Sequence, residues 1–123
     1  MSHVVVIQTE IRDRAAIEAA CRRLRLKTPV NGTTRLFSTD VTGLIVELPD
    51  WRYPVVALLK TGELKYDNYE GRWGDEKELG KLLQAYAVEL AKAEALRKGH
   101  LVHERALSNG DIRVTVELNG GAA

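Results

Sequence analysis

Asp75-Glu76-Lys77-Glu78-Leu79-Gly80-Lys81-Leu82-Leu83-Gln84-Ala85-Tyr86 opens the longest helical pattern in the chain, and its place between two strand pairs decides the fold class. Asp75 followed three residues later by Glu78 is an aspartate form of the capping box. Leu79, Leu82, Leu83, Tyr86, Leu90 and Ala93 then recur at helical spacing as far as Gly99, a residue suited to the position just beyond a helix end. The pattern predicts a helix of about 24 residues, roughly 36 Å long at 1.5 Å per residue. Lys77, Lys81, Lys92, Glu94 and Lys98 fall off the apolar stripe and read as a solvated face of mixed sign.

On the N-terminal side of this helix, residues 55–60 and 63–69 read as a strand pair across a tight turn at Thr61-Gly62. On the other side, 100–107 and 111–118 form a second hairpin across Ser108-Asn109-Gly110. There Ile112, Val114, Val116 and Leu118 alternate with Arg113, Thr115 and Glu117, as in a sheet with one wet face. Nearer the start, Val4-Val5-Val6-Ile7 reads as a strand apolar on both faces. Asp13 then caps a helix with Ile17, Ala20, Cys21 and Leu24 on one stripe, ending before Pro29. Strands at 33–37 and 43–48 follow, joined by the polar Thr39-Asp40-Val41-Thr42 connection, and Trp51-Arg52-Tyr53-Pro54 is a turn.

The order is β-α-β-β-β-β-α-β-β. Short connections between consecutive strands predict an α+β domain with a mainly antiparallel sheet of about six to seven strands and both helices on one face. It spans 1–118, with 119–123 a flexible tail. Strands apolar on both sides leave a second sheet face to be closed, either by the 51–54 loop or by another copy in a homodimer.

Composition narrows the function classes. The chain has 123 residues, 45% hydrophobic and 28% charged, which is ordinary globular usage and not that of a disordered chain. Folding at this size buries roughly two-thirds of the unfolded surface, enough for a core without metal or disulfides. Lys+Arg 18 against Asp+Glu 17 leaves a formal charge of +1, without the basic excess of a dedicated nucleic-acid or membrane-surface protein. No apolar run approaches the roughly 20 residues that span a bilayer. A lone Cys21 and no visible secretory signal predict a reducing, cytoplasmic setting.

Several stretches resemble a known family. Met1-Ser2-His3 leading into a strand and Ile11-Arg12-Asp13 opening a helix are similar to the start of the conserved chloroplast reading-frame thirty-five family of plastids, cyanobacteria and other bacteria. Tyr66-Asp67-Asn68-Tyr69, the Gly71-Arg72-Trp73-Gly74 loop, Gln84-Ala85-Tyr86, and Gly99 followed by Glu104 and Asn109-Gly110 add to the likeness. The resemblance covers nearly the whole chain apart from 28–48. The family has no established enzymatic activity and no agreed catalytic residues to carry over. Because some relatives travel with ATPases of the AAA class, the resemblance implies an accessory role beside such a partner.

The candidate site is aromatic. Of seven aromatic residues, five (Trp51, Tyr53, Tyr66, Tyr69 and Trp73) fall within one 23-residue window where uniform scatter would place about one. Aromatic bodies with polar tips give large contact area at low entropy cost, so the window reads as a recognition surface. Trp51, Arg52, Tyr53, Asp67, Tyr69 and Arg72 are the candidate partner-binding residues. Trp51, at a Pro-flanked turn, is expected to be wet, and Trp73, between two glycines before the long helix, to be core. Strand alternation sends Tyr66 to one face, and Asp67 and Tyr69 to the other.

Other chemistries are weaker. Arg22-Arg23-Leu24-Arg25-Leu26-Lys27, with Arg14, is the one basic concentration and the candidate nucleic-acid surface. Helix C-termini favour cations in any case, and no aromatic interleaves. His100 and His103 point to opposite sides of a strand, so with His3 they do not make a metal site. Cys21 lies in an apolar stripe and reads as an inert thiol. Glu63, Asp67 and Glu70 read as solvated charges. Gly71-x-x-Gly74 lacks the Lys-Ser/Thr of a phosphate loop, and no cofactor motif is present. The sequence thus predicts a non-enzymatic binding or accessory module with a protein partner. A nucleic-acid binder using the first helix is second, and a small-ligand or enzymatic domain with a pocket beside Tyr66, Asp67 and Trp73 is third.

Overall fold

The computed structural model describes residues 3–118, so the expected tail at 119–123 lies outside the described residues. Strand β1 (Val5–Gln8) leads into helix α1 (Arg14–Arg23). Four strands follow: β2 (Val30–Leu36), β3 (Thr39–Val46), β4 (Val55–Leu58) and β5 (Glu63–Tyr66). Helix α2 (Glu76–Arg97) precedes β6 (Leu101–Ala106) and β7 (Ile112–Glu117). The α+β class, the two helices and the seven antiparallel strands are as the periodicities predict. The strands divide, however, into a five-stranded sheet ordered β1-β5-β4-β3-β2 and a separate β6–β7 pair.

Both helices cover one face of the five-stranded sheet. Ile17, Ala20 and Cys21 of α1 and Leu79, Leu82 and Tyr86 of α2 join Leu44, Val46, Val55, Ala57, Leu64 and Tyr66 in one buried cluster. Ile17, Leu44, Leu64 and Leu82 are fully enclosed, and each such side chain contributes about 1.5–3 kcal/mol by leaving water. The Tyr86 hydroxyl pins α2 to the start of α1. It accepts from the Arg12 and Asp13 amides at 3.1 Å each and donates to the Glu10 carbonyl at 3.2 Å.

The helix ends follow from specific residues. Asp13 accepts from the Ala16 amide, and Asp75 from the Lys77 amide at 2.9 Å. The reciprocal half of the expected capping box is not made, since Glu78 reaches Lys81 instead. At the other end of α2, Gly99 (φ 78°) and His100 donate back to the Leu96 and Ala95 carbonyls, the paired bonds of a Schellman motif. Helix α1 stops well short of Pro29 by the same device. Arg25 at φ 60° donates to the Arg22 carbonyl and Leu26 to that of Cys21. An arginine there takes the left-handed backbone that glycine adopts at no steric cost.

The region between α1 and β4 departs most from expectation. Thr39-Asp40-Val41-Thr42 is not a connection but the first half of β3, paired with β2 from Leu36↔Thr39 to Val30↔Ile45. Only Phe37 and Ser38 turn the chain. The polar look of this segment arises because Asp40 and Thr42 share a face with Arg35 and Thr33, whose side chains they bond. Val41 points to the opposite, second face.

On that second face, Leu36, Val41 and Val56 form a smaller buried cluster closed by Val4, Leu58 and Tyr53. Tyr53 comes from the 51–54 loop, so the chain covers part of its own sheet. Val6 (50% exposed) and Val30 (57%) remain open on the outer strands. Among the described residues no helix is long and apolar enough to cross a membrane.

Candidate functional site

The site assembles on Trp73, at the end of the sheet beyond the second cluster. Two loops bring it there. The Arg52 amide donates to the Trp73 carbonyl at 2.8 Å, tying the 51–54 turn to the 67–75 segment. Within that segment, buried Asn68 accepts from the Gly71 and Trp73 amides through its main-chain carbonyl, and its side chain donates from Nδ2 to the Gly74 carbonyl at 3.2 Å. Buried Asp67 accepts from the Tyr69 amide at 3.1 Å. These two polar side chains are struts inside the loop, which is why they sit in the interior at 2% exposure each.

Three rings gather around Trp73. Phe37 stacks on it with centroids 5.3 Å apart, while Tyr53 and Tyr69 meet it edge-on at 5.6 and 4.7 Å. The Arg52 guanidinium lies over Trp73 at 5.0 Å and over Tyr53 at 5.8 Å, and Arg72 lies over Tyr69 at 4.9 Å. Both arginines are exposed, and among the described residues neither has a carboxylate within ion-pair distance. Such stacking holds the planar cations in place without neutralising them. The patch therefore combines apolar rings with two arginines that form no ion pair among the described residues, in segments that also carry exposed Asp50 and Glu70.

Its backbone is strained. Of the described non-glycine residues, Phe37, Asp50, Tyr69 and Glu70 take positive φ values of 54°, 61°, 47° and 53° in the segments that build this surface. Arg25 is the remaining case, at the end of α1. Left-handed backbone costs an L-residue roughly 1–2 kcal/mol, so a cluster of such residues is a hint of function.

The placement of the sequence-derived candidates is mixed. Arg52, Tyr53, Tyr69 and Arg72 converge on one surface, Asp67 is buried beneath it, and Trp51 is elsewhere. Trp51 is half-buried against the helix-side core, edge-on to Tyr66 at 5.6 Å, and its indole N–H donates to the Asp75 carbonyl at 3.0 Å. A Cβ at Gly74 would overlap the Trp51 ring. Neither tryptophan takes its expected role, since both are half-buried: Trp51 clips the start of α2 to the helix-side core, and Trp73 is the hub of the ring cluster. Phe37, far from the aromatic window in sequence, is the member that sequence reasoning missed. Its only local signal was a large apolar residue just before a serine in a turn.

The cations of the first helix are dispersed among acids. Arg14 pairs with Glu18 at 3.4 Å and Lys27 with Glu47 at 3.5 Å. Arg23 pairs with Glu89 at 3.3 Å and with Glu104, which also holds Lys92 at 2.6 Å. Arg22 and Arg25 are exposed without such partners among the described residues. Cys21 is buried, and that burial, with Glu18 nearby, pushes its thiol up to about 11 against a smaller opposing pull from Arg22. Tyr66 is likewise raised, by burial first and Glu76 second. Shallow depressions of about 510, 390 and 260 Å³ lie on the surface, and neither Cys21 nor Tyr66 lines any of the three. Among the described residues no three His, Cys, Asp or Glu side chains gather as metal ligands would. His103 instead meets Glu117 at 2.6 Å.

No family model, curated protein or solved structure matches this chain.

Proposed function

We propose that this chain is a non-enzymatic binding or accessory module that recognises a protein partner through the surface centred on Trp73. One observation carries the reading. Phe37 is held at a left-handed φ of 54° in a two-residue turn, with its ring half exposed and stacked on Trp73. Turns of this kind favour Gly, Asn or Asp, so a phenylalanine there costs the fold and supplies the surface. Arginine and aromatic side chains in contact are the composition of interface hot spots. Arg52 and Arg72, which pair with no carboxylate among the described residues, fit a partner segment that presents carboxylates beside an apolar side chain.

The resemblance to the chloroplast reading-frame thirty-five family makes an ATPase of the AAA class the first partner to try, in a reducing, cytoplasmic setting. A nucleic-acid role for the first helix has less support, because Arg14, Arg23 and Lys27 are engaged by acids of the same chain. The test is capture from extract of the native host on immobilised protein. A protein retained by wild type and by the Arg22→Glu/Arg25→Glu variant, and lost from Arg52→Glu/Arg72→Glu, supports the reading. Loss confined to the first-helix variant, or retention of nucleic acid in its place, overturns it.

A further inference from the structure

Among the described residues, strand β7 is an open edge. The β6–β7 pair stands apart from the main sheet, and among the described residues no third strand joins it. Two-stranded sheets are marginal alone. Natural edge strands are usually blunted by Pro, inward charges or bulges. Ile112-Arg113-Val114-Thr115-Val116-Glu117 has no Pro, Gly or Lys, and its register against β6 runs without a bulge. Val116 is 39% exposed and Leu118, just beyond, 72%.

The charges on this hairpin are unbalanced within one chain. Arg105 and Arg113 face each other directly across the ladder, and among the described residues neither pairs with an acid. Like charges directly opposite destabilise a strand pair.

We propose that β7 pairs antiparallel with β7 of a second copy of this chain, about a two-fold axis at Thr115. This register sets Arg113 against the partner's Glu117, and Glu117, which also meets His103 of its own chain at 2.6 Å, against the partner's Arg113. It also sets Val114 against the partner's Val116 and Ile112 against the partner's Leu118. Opposed residues of an antiparallel pair share a face, so charge meets charge outside and apolar meets apolar inside. Arg113, repelled by Arg105 on one side, gains an acid on the other. Other choices fail on the same reasoning. Centring on Val114 sets Asp111 against the partner's Glu117. Pairing through β6 sets Glu104 against itself or, one residue back, Val102 against the partner's Glu104. The result is a four-stranded β6-β7-β7-β6 sheet with an isologous interface, independent of the Trp73 surface.

Sedimentation of the full chain at micromolar concentration tests this by charge exchange. Wild type sediments as a dimer of the 13.7 kDa chain. Arg113→Glu and Glu117→Arg, each alone, sediment as monomers, and the double variant recovers the dimer. Arg113→Glu removes the repulsion from Arg105, so its folding is not at issue; far-ultraviolet circular dichroism checks it. Thr115→Cys supplies a second readout. Its Cα atoms would sit about 4.5–5.5 Å apart across the axis, within disulfide reach, so mild oxidation yields a covalent dimer, while wild type, with only buried Cys21, does not. A monomeric wild type, a dimer indifferent to both single reversals (as one formed through the open face of the main sheet would be), or no recovery in the double variant overturns the proposal.

Discussion

Phe37 stacks on Trp73 with ring centroids 5.3 Å apart and planes inclined by 28°, from a backbone fixed at φ 54°. The two residues are joined by the sheet and by the 67–75 loop, not by sequence. The Phe37→Gly variant separates the two consequences of that arrangement. It relieves left-handed strain of about 1–2 kcal/mol and forfeits a ring pair of about 0.5–1.5 kcal/mol. Stability in urea should stay within about 1 kcal/mol of wild type, while partner binding falls at least about tenfold, as for loss of a hot-spot residue. A variant that binds as well as wild type would leave the ring without a role.

Trp51→Ala should be the more damaging tryptophan truncation. Its ring packs on Gly74 and Tyr66, and its N–H bonds to the Asp75 carbonyl. A buried Trp→Ala change costs about 3–5 kcal/mol, and half-burial reduces this to about 2–3. Trp73→Ala should cost less and abolish binding. Urea unfolding of both variants decides the order.

Arg25→Gly should stabilise the domain by about 0.5–1 kcal/mol, because glycine takes the left-handed position that closes α1 without steric cost. Arg25 makes no ion pair among the described residues, so little is lost. A higher midpoint of thermal unfolding is the readout.

The Cys21 thiol is pushed from 9.0 to about 11, first by burial. The unfolded chain therefore releases this proton at lower pH than the folded one. The folded state then binds more protons, and stability falls as pH rises from about 9 towards 11. A thiol reagent at pH 8 should react only after denaturant is added, and Cys21→Ala should flatten the alkaline limb of stability against pH. Prompt labelling of the native protein would place Cys21 at the surface.

The long helix was legible because its two ends carry residues with a mechanical role, Asp75 and Gly99, and its apolar residues keep one period. The β2–β3 hairpin was not. Asp40 and Thr42 make it look like a loop, and the partners that satisfy them, Arg35 and Thr33, are identified only by the pairing register. The same limit applied to the surface. The density of aromatics marks the 51–73 window, and Arg52, Tyr53, Tyr69 and Arg72 of it do meet. Which way Trp51 and Trp73 point depends on a hydrogen bond to Asp75 and on contact with Gly74, both set by tertiary packing. Phe37 enters through strand pairing alone. Division of the seven strands into two sheets was equally hidden, since a hairpin has the same alternation whether or not a third strand joins it.

The chain holds two tryptophans, and their indole N–H groups give two resolvable signals in a nitrogen–proton correlation spectrum. Titrating the captured partner into labelled protein is the most direct test of the Trp73 surface. The Trp73 indole signal, with the amides of Arg52, Tyr69 and Arg72, should move or broaden. The Trp51 indole, bonded to the Asp75 carbonyl on the other side of the sheet, should stay in place. Movement confined to the amides of Arg22 and Arg25, with both indoles still, would contradict the account.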